Sequence, residues 1–322
     1  MRLHVCAIAL ALTFVSSGTA HSQPYPYRPV RVFVGFPPGG GVDITARLVA
    51  AALNELWGTT VLVDNRPGAT GGIGTEIAAK ATADGYTLLL CNISSHAINP
   101  ARYKKLPYDH IKDFAPISLI GSTPNVLVAH PSVPANSLSE FIAYARANPG
   151  KLNYGSSGFG ASPHLSIELL KMMTGINIVS VQYKGAALAL ADVLGGQMHT
   201  MVGNLPGPLP AIKSGKVRAL GVTSAKRNAR APDVPTFAES GVPGYDVTSW
   251  HGICAPAAVP KPILAKLNAD LVKLLNDPVL RQRLEDQGVD PTSSTPAEFA
   301  AHIKSETVKW AKVVRAAGLA AE

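Results

Sequence analysis

VRVFVGFPPGGGVDITARL, residues Val30 to Leu48, passes from a β pattern through a glycine-rich loop into a helical one. Val30–Phe36 alternates and is rich in β-formers, which reads as a strand. From Asp43 to Trp57 the period changes. Val42, Ala46, Val49, Leu53 and Leu56 fall on one face and Asp43, Arg47 and Asn54 on the other, as in an amphipathic helix. Between the two, glycines let the backbone approach a ligand closely, and a helix start presents free N–H groups. That pairing suits an anion. A nucleotide phosphate, a substrate of an enzyme and a small carboxylate in a receptor are all compatible with it.

Outward from this stretch the alternation repeats. Thr60–Asp64 and Thr87–Cys91 read as strands, with a helix over Gly74–Lys80 between them. Strand, helix, strand, helix, strand is α/β with parallel pairing. A second series follows. Val126–Ala129, Leu152–Gly155, Ile178–Val181, Thr200–Val202 and Val217–Val222 are strand-like, and Ser137-Leu138-Ser139-Glu140 is a capping box. Gly155–Pro163 is a second Gly/Ser loop that opens a helix, with Ser162 as N-cap and Pro163 in its first turn. The C-terminal part is helical: Pro262–Leu275 is amphipathic, and Thr295–Glu298 caps a last helix. Ligands of open α/β sheets bind beyond the carboxyl ends of strands. If the two series are facing domains, Gly35–Asp43 and Gly155–His164 form opposite jaws.

Met1–Ala20 has a short basic start, a brief apolar run and small residues at Gly18 and Ala20. It reads as a secretory signal peptide cleaved near Ala20, which implies an exported, periplasmic protein. Apolar content of 47% supports a full core, and the 16% charged residues argue against disorder. The net charge of +8 comes from scattered Lys and Arg. No stripe interleaved with aromatics occurs, so nucleic acid is not an expected partner. Two cysteines, Cys91 and Cys254, follow the leader, and the histidines lack ligand spacing. We therefore expect no metal and no cofactor.

Three enzyme-like readings weaken on inspection. Where a nucleotide loop needs Gly-Lys-Ser/Thr, this chain has Gly41-Val42-Asp43. Ala69–Glu76 has the look of a dinucleotide turn, but it follows the second strand of its unit. An exported serine hydrolase acting on a small ester or amide is the serious alternative. Against it, Phe159 occupies the last glycine position of G-x-S-x-G. Serine hydroxyls and glycine N–H groups at helix starts suffice to bind a carboxylate without a nucleophile.

The segments PPGGGVDITARL, VLVDNRPGATGGIGTEIAAKATADGYTLLL, KLNYGSSGFGASPHLSIELLK and VQYKGAALALADVLGGQM, with INPARYKKLPYD between them, resemble one family in matching order. It is the extracytoplasmic solute-binding receptors of tripartite tricarboxylate transporters, also called Bug receptors. The resemblance implies a two-domain periplasmic-binding-protein-like fold with two crossovers. Domain 1 is expected at 26–123 plus 247–322 and domain 2 at 124–246. It also implies a ligand, an organic acid or acidic amino acid, closed between the domains, with no catalysis. Carried over by motif, Phe36, Gly39, Gly40, Asp43, Ser94 and Ser95 form the first jaw. Ser157, Gly160, Ser162 and His164 form the second, with Tyr183 and Asn204 nearby. One departure is Gly203, where many members have an aspartate before Asn204-Leu205-Pro206. The implied receptor acts as a monomer, with membrane transporter subunits as partners. Its returning strand around Cys254 lies antiparallel beside the strand ending at Cys91. We expect the two cysteines close together, packed as thiols in apolar β-runs rather than bonded.

Overall fold

A computed structural model describes residues 24–320; the expected signal segment lies outside them. The opening alternation is present as β1 (Val30–Val34), α1 (Gly41–Trp57), β2 (Val61–Asn65), α2 (Gly72–Ala79) and β3 (Thr87–Asn92). β1 lies between β2 and β3, parallel to both. Its alternation is not one buried face and one wet face: only Arg31 is exposed. Val30, Val32 and Val34 pack with Leu88 and Leu90 of β3 and with Val42, Ala46, Val49 and Leu53 of α1. Phe33, Leu89 and Cys91 point into a second apolar layer on the other side. A parallel sheet covered on both faces needs this near-continuous burial. Each fully buried Val or Leu contributes about 1.5–3 kcal/mol.

After β3, a π-helical turn (Ser94–Ile98) and α3 (Asn99–Arg102) lead into β4 (Phe114–Ala129). This strand of 16 residues extends well upstream of the expected Val126–Ala129. Pro116, Ser118, Gly121 and Pro124 hide its first part in the sequence. The strand absorbs them with register shifts at Pro116/Ser118 and Leu119/Gly121. Phe114–Pro124 pairs with β9 (Thr248–Pro256), and Asn125–Ala129 pairs with β7 (Thr200–Asn204). β4 therefore carries the chain out of the first sheet into the second.

The second lobe comprises α4 (Leu138–Ala147), β5 (Asn153–Ser156), α5 (Ser162–Thr174), β6 (Val179–Gln182), α6 (Ala186–Leu194), β7, α7 (Leu209–Lys213) and β8 (Arg218–Val222). The chain returns in β9, antiparallel between β3 and β4. It ends with α8 (Lys261–Asn276), α9 (Pro278–Asp286), β10 (Asp290–Pro291) and α10 (Pro296–Ala316). The strand order is β2-β1-β3-β9-β4-β7-β5-β6, with β8 and β10 paired to β4. The Thr295/Glu298 capping box is complete. Ser137 caps α4 as expected, but Glu140 takes the N–H of Asn136 instead of closing the box on Ser137.

Two local expectations are corrected. Ser162 is not the N-cap of α5; Ala161 holds that place, and the Ser162 hydroxyl is engaged elsewhere. Asp43 is not on a solvent face but only 2% exposed. Its carboxylate turns back along α1 and serves as an internal tether, described below. The cysteines also differ from expectation: Cys91 and Cys254 are bonded, with Cα atoms 6.0 Å apart.

Candidate functional site

Three helix N-termini meet between the lobes. α1 brings Gly40, Gly41 and Val42 from the first lobe. α5 brings Ser162 and Pro163, and α6 brings Gly185 and Ala186, both from the second. They line a chamber of about 30 Å³ with Phe36, Ser94, Ser157, Asn204, Ser249 and His251. At α1 and α6 the first N–H groups lack intrahelical acceptors; at α5 Pro163 has no N–H and that of Ser162 goes to Ser94, so this helix contributes the positive end of its dipole. The one ionisable side chain in this lining is His251, and burial pushes it down to about 4, so it is neutral near pH 7. Such a chamber can accommodate an anion through backbone N–H groups and hydroxyls, without a formal countercharge. Its volume matches the oxygens of a single carboxylate, since one water needs about 10–15 Å³ on this measure.

The floor is a closed polar network where the two chain crossings meet. Ser162 Oγ lies 2.8 Å from Ser249 Oγ, and Asn125 Nδ2 donates to Ser162 Oγ at 3.2 Å. Asn204 Nδ2 donates to both Asn125 Oδ1 and Ser249 Oγ, at 2.8 and 3.0 Å. Across the cleft, the Ser162 N–H donates to Ser94 Oγ at 3.2 Å. These groups are buried and mutually satisfied, which fixes their positions.

The structure brings Phe36, Gly40, Ser94, Ser157, Ser162 and Asn204 to this chamber, six of the positions expected from the sequence. Tyr183 lines an adjoining one. The others support the site from behind it. Gly39 faces α6 outside the chamber, where its added Cβ would touch Ala187. Asp43 Oδ2 accepts from the Gly39 N–H and Arg47 Nε, and Oδ1 accepts from Asn65 Nδ2. Burial opposes its charge, but these donors outweigh it and hold the carboxyl below the usual carboxylate range. Ser95 folds back on Asn92 and His96. Gly160 leaves room for the Arg102 side chain, which an added Cβ would strike. His164 is 2% exposed, and its Nδ1 accepts from the Gly160 N–H, so the ring braces the loop. Burial lowers its pKa to about 4 despite the attraction of Glu168.

Asn125, Gly185, Ser249 and His251 were not anticipated. Asn125, Ser249 and His251 come from β4 and β9, and only tertiary structure places them at the cleft; Gly185 sits one residue before α6. Gly185 carried a signal in the sequence, a glycine opening a helix-forming run. His251 Nδ1 sits 3.1 Å from Thr45 Oγ1, whose hydrogen is already donated to Gly41 O. The ring therefore donates from Nδ1, toward the scaffold. None of the chamber serines is hydrogen-bonded to a histidine among the described residues. The Ser95–His96 pair, 2.9 Å apart, is fully buried behind the chamber, and burial pushes His96 to about 3.

A second chamber of about 540 Å³ shares Phe36, Pro37 and Ser157 with the first and opens outward. Its walls include Thr70, Arg102, Tyr103, Phe159, Tyr183 and Lys184. The size is that of an ordinary small-molecule site.

A two-lobed α/β fold crossed twice by the chain, with a polar chamber between the lobes, defines the periplasmic-binding-protein class. Solved structures agree. R. palustris Rpa4515 with adipate has a TM-score of 0.89 at 39% identity, covering 91% of this chain and 98% of that one. The periplasmic binding protein BugD gives 0.88 at 36% identity, covering 92% and 100%. In sequence, Protein BugT of Bordetella pertussis is 36% identical over 317 residues, covering 98% of this chain and 97% of the relative. Residues 45–319 match the model of the tripartite tricarboxylate transporter family receptors. The chain belongs to this family of solute-binding receptors. These findings give no support to the serine hydrolase alternative.

Proposed function

We propose that this receptor captures a small carboxylate in the periplasm and does so without catalysis. The observation that carries this reading is the convergence of three helix N-termini, from both lobes, on a small chamber without a charged side chain. One carboxylate group sits there, held by N–H groups at the starts of α1 and α6 and by the hydroxyls of Ser94 and Ser157, with Ser162 beside it fixed by the network beneath. The body of the ligand extends into the outer chamber past Phe36 and Tyr183. Gly39, Asp43, Ser95, Gly160 and His164 shape the loops that present these groups. The jaws belong to domains at 26–123 plus 247–322 and at 124–246, which close on the ligand by bending at the two crossings.

The adipate bound to Rpa4515 supports the ligand class. Export follows from Met1–Ala20 as a leader cleaved near Ala20. Delivery of the closed receptor, as a monomer, to membrane transporter subunits completes the role. A thermal-shift panel of mono- and dicarboxylates, amino acids and neutral amides tests it. A ligand at a hundredfold excess over Kd stabilises by about 2.7 kcal/mol. Shifts confined to carboxylates support the reading. Equal shifts with the matching neutral amides, or ester turnover lost in Ser157→Ala, would overturn it.

A further inference from the structure

Arg102 is placed with unusual care for a cation at the mouth of a cleft. It ends α3 in the first lobe and lines the outer chamber. Its guanidinium lies over the rings of Tyr103 and Phe159, at 4.6 and 4.9 Å from their centroids. Phe159 belongs to the second lobe, so Arg102 spans the cleft. Arg102 Nη1 donates to Thr70 Oγ1 at 3.2 Å, and Thr70 Oγ1 donates to Phe159 O at 3.0 Å. Thr70 and Ala69 hold φ of 54° and 47°, a region costly for residues with a Cβ. Gly160 (φ 75°) is the matching concession in the other lobe. Strain on one side and a missing side chain on the other fix one guanidinium.

That guanidinium is not paired with a protein carboxylate among the described residues, and neither is Lys184 across the chamber. No acidic residue lines the outer chamber, whereas Phe36, Pro37, Tyr103, Phe159 and Tyr183 give it apolar walls. A guanidinium uses five N–H donors in a planar fork suited to carboxylate, and Arg102 spends one of them on Thr70.

We propose that Arg102, assisted by Lys184, receives a second carboxylate. The ligand is then an elongated dicarboxylate with an apolar body, one end at the three helix N-termini and the other at Arg102. This assignment rests on the carboxylate reading of the inner chamber and adds its distal specificity.

Calorimetry with two chain-matched pairs tests it: hexanoate against adipate, and benzoate against terephthalate. Wild-type protein is expected to bind the dicarboxylate of at least one pair more than tenfold tighter than its partner. The pair that shows the preference tells an aliphatic from an aromatic body. Arg102→Gln is expected to bring that ratio close to one, and Arg102→Lys to restore part of it; Lys184→Gln lowers it less. Thermal melts of the unliganded variants check that they fold. A wild-type ratio near one overturns the proposal while monocarboxylate binding upholds the inner site. So does an Arg102→Gln variant that weakens both members equally, since Arg102 would then only latch the lobes. If none of the four acids binds wild type, and the carboxylate panel is also silent, both readings fail.

Discussion

Cys91 and Cys254 are bonded across β3 and β9 although the strands do not set them directly opposite: Cys91 faces Gly252, and Cys254 faces Leu89. The bond joins positions 163 residues apart and locks the returning strand into the first sheet. Apolar surroundings alone would have suited two packed thiols. Adjacent antiparallel strands bring the sulfurs within reach as well, in a fold whose family works in an oxidising compartment. Closing so long a loop restricts the unfolded chain strongly. The double variant Cys91→Ala/Cys254→Ala is therefore expected to lose about 2–5 kcal/mol of unfolding free energy. Neither residue lines a chamber, so ligand affinity should be unchanged. Urea unfolding of variant and wild type measures the loss, and equal midpoints would refute it.

Gly41 sets how closely the lobes meet. A Cβ built on it would lie 2.6 Å from the Cβ of Asn204 in the opposite lobe. Asn204 is held by Asn125 and Ser249 and has little freedom to retreat. Gly41→Ala should hold the cleft ajar and weaken ligand binding at least tenfold, the equivalent of about 1.4 kcal/mol. Gly40→Ala is the control, because its Cβ would meet Ala186 at an ordinary 3.9 Å. Gly40→Val, which adds two further methyl groups at a residue lining the chamber, should abolish binding. Equal affinities for wild type and Gly41→Ala in calorimetry would show that the lobes close by another contact.

Buried neutral histidines make the fold acid-sensitive. Burial holds His251 and His164 near 4, below the 6.5 of an unfolded chain. The unfolded state thus binds protons first as pH falls, so stability declines from about pH 6.5 and levels off near 4 for these groups. A shift of this size corresponds to about 3 kcal/mol for a fully buried ring such as His251. His164 adds a local cost, since protonated Nδ1 can no longer accept from the Gly160 N–H. Urea midpoints at pH 7, 6 and 5 should fall in order, with a shallower slope in His251→Asn. A stability that rises on acidification through this window would contradict the assignment.

How far these features could be read in advance depended on how local they are. The α1 stripe of Val42, Ala46, Val49 and Leu53 is a periodicity within one helix, and all four residues are buried. The glycines at Gly40 and Gly41 and the serines at Ser157 and Ser162 mark loops that the chain itself brings to strand ends. Ser162 before Pro163 has the local form of an N-cap, yet Ser249 draws its hydroxyl away. Ser249, His251 and Asn125 sit at the crossings, and their role exists only once β4 and β9 pair. α6 is apolar on nearly every face, AALALADVL, so no period announces that its N-terminus lines the inner chamber. Arg102 was invisible for the same reason: its partners Thr70, Phe159 and Gly160 are dispersed along the chain.

Asp43 gives the sharpest separation of scaffold from ligand contact. One carboxylate ties together the loop at Gly39, the helix at Arg47 and the strand at Asn65, whose amide also donates to Phe36 O. Asp43→Ala leaves these donors without their acceptor. Breaking a buried pair costs about 3–5 kcal/mol, but Arg47 is half exposed and screened. We expect about 2–3 kcal/mol at pH 7, discounted below that range for the exposure of Arg47. The sign with pH is the same as for the histidines but the cause differs: donors favour the charged carboxylate, whereas burial disfavours the charged imidazole. The depressed carboxyl contributes stability above its unfolded pKa and loses it as pH falls through the folded one. Asp43→Ala should accordingly differ most from wild type at neutral pH, with the two curves converging in strong acid. Binding should weaken together with stability, because the Gly39–Gly41 backbone loses its fixed aim. Urea unfolding and calorimetry on the same variant decide the matter. Lost binding at wild-type stability would mean that Asp43 touches the ligand itself, and wild-type values for both would mean that the loop is held without it.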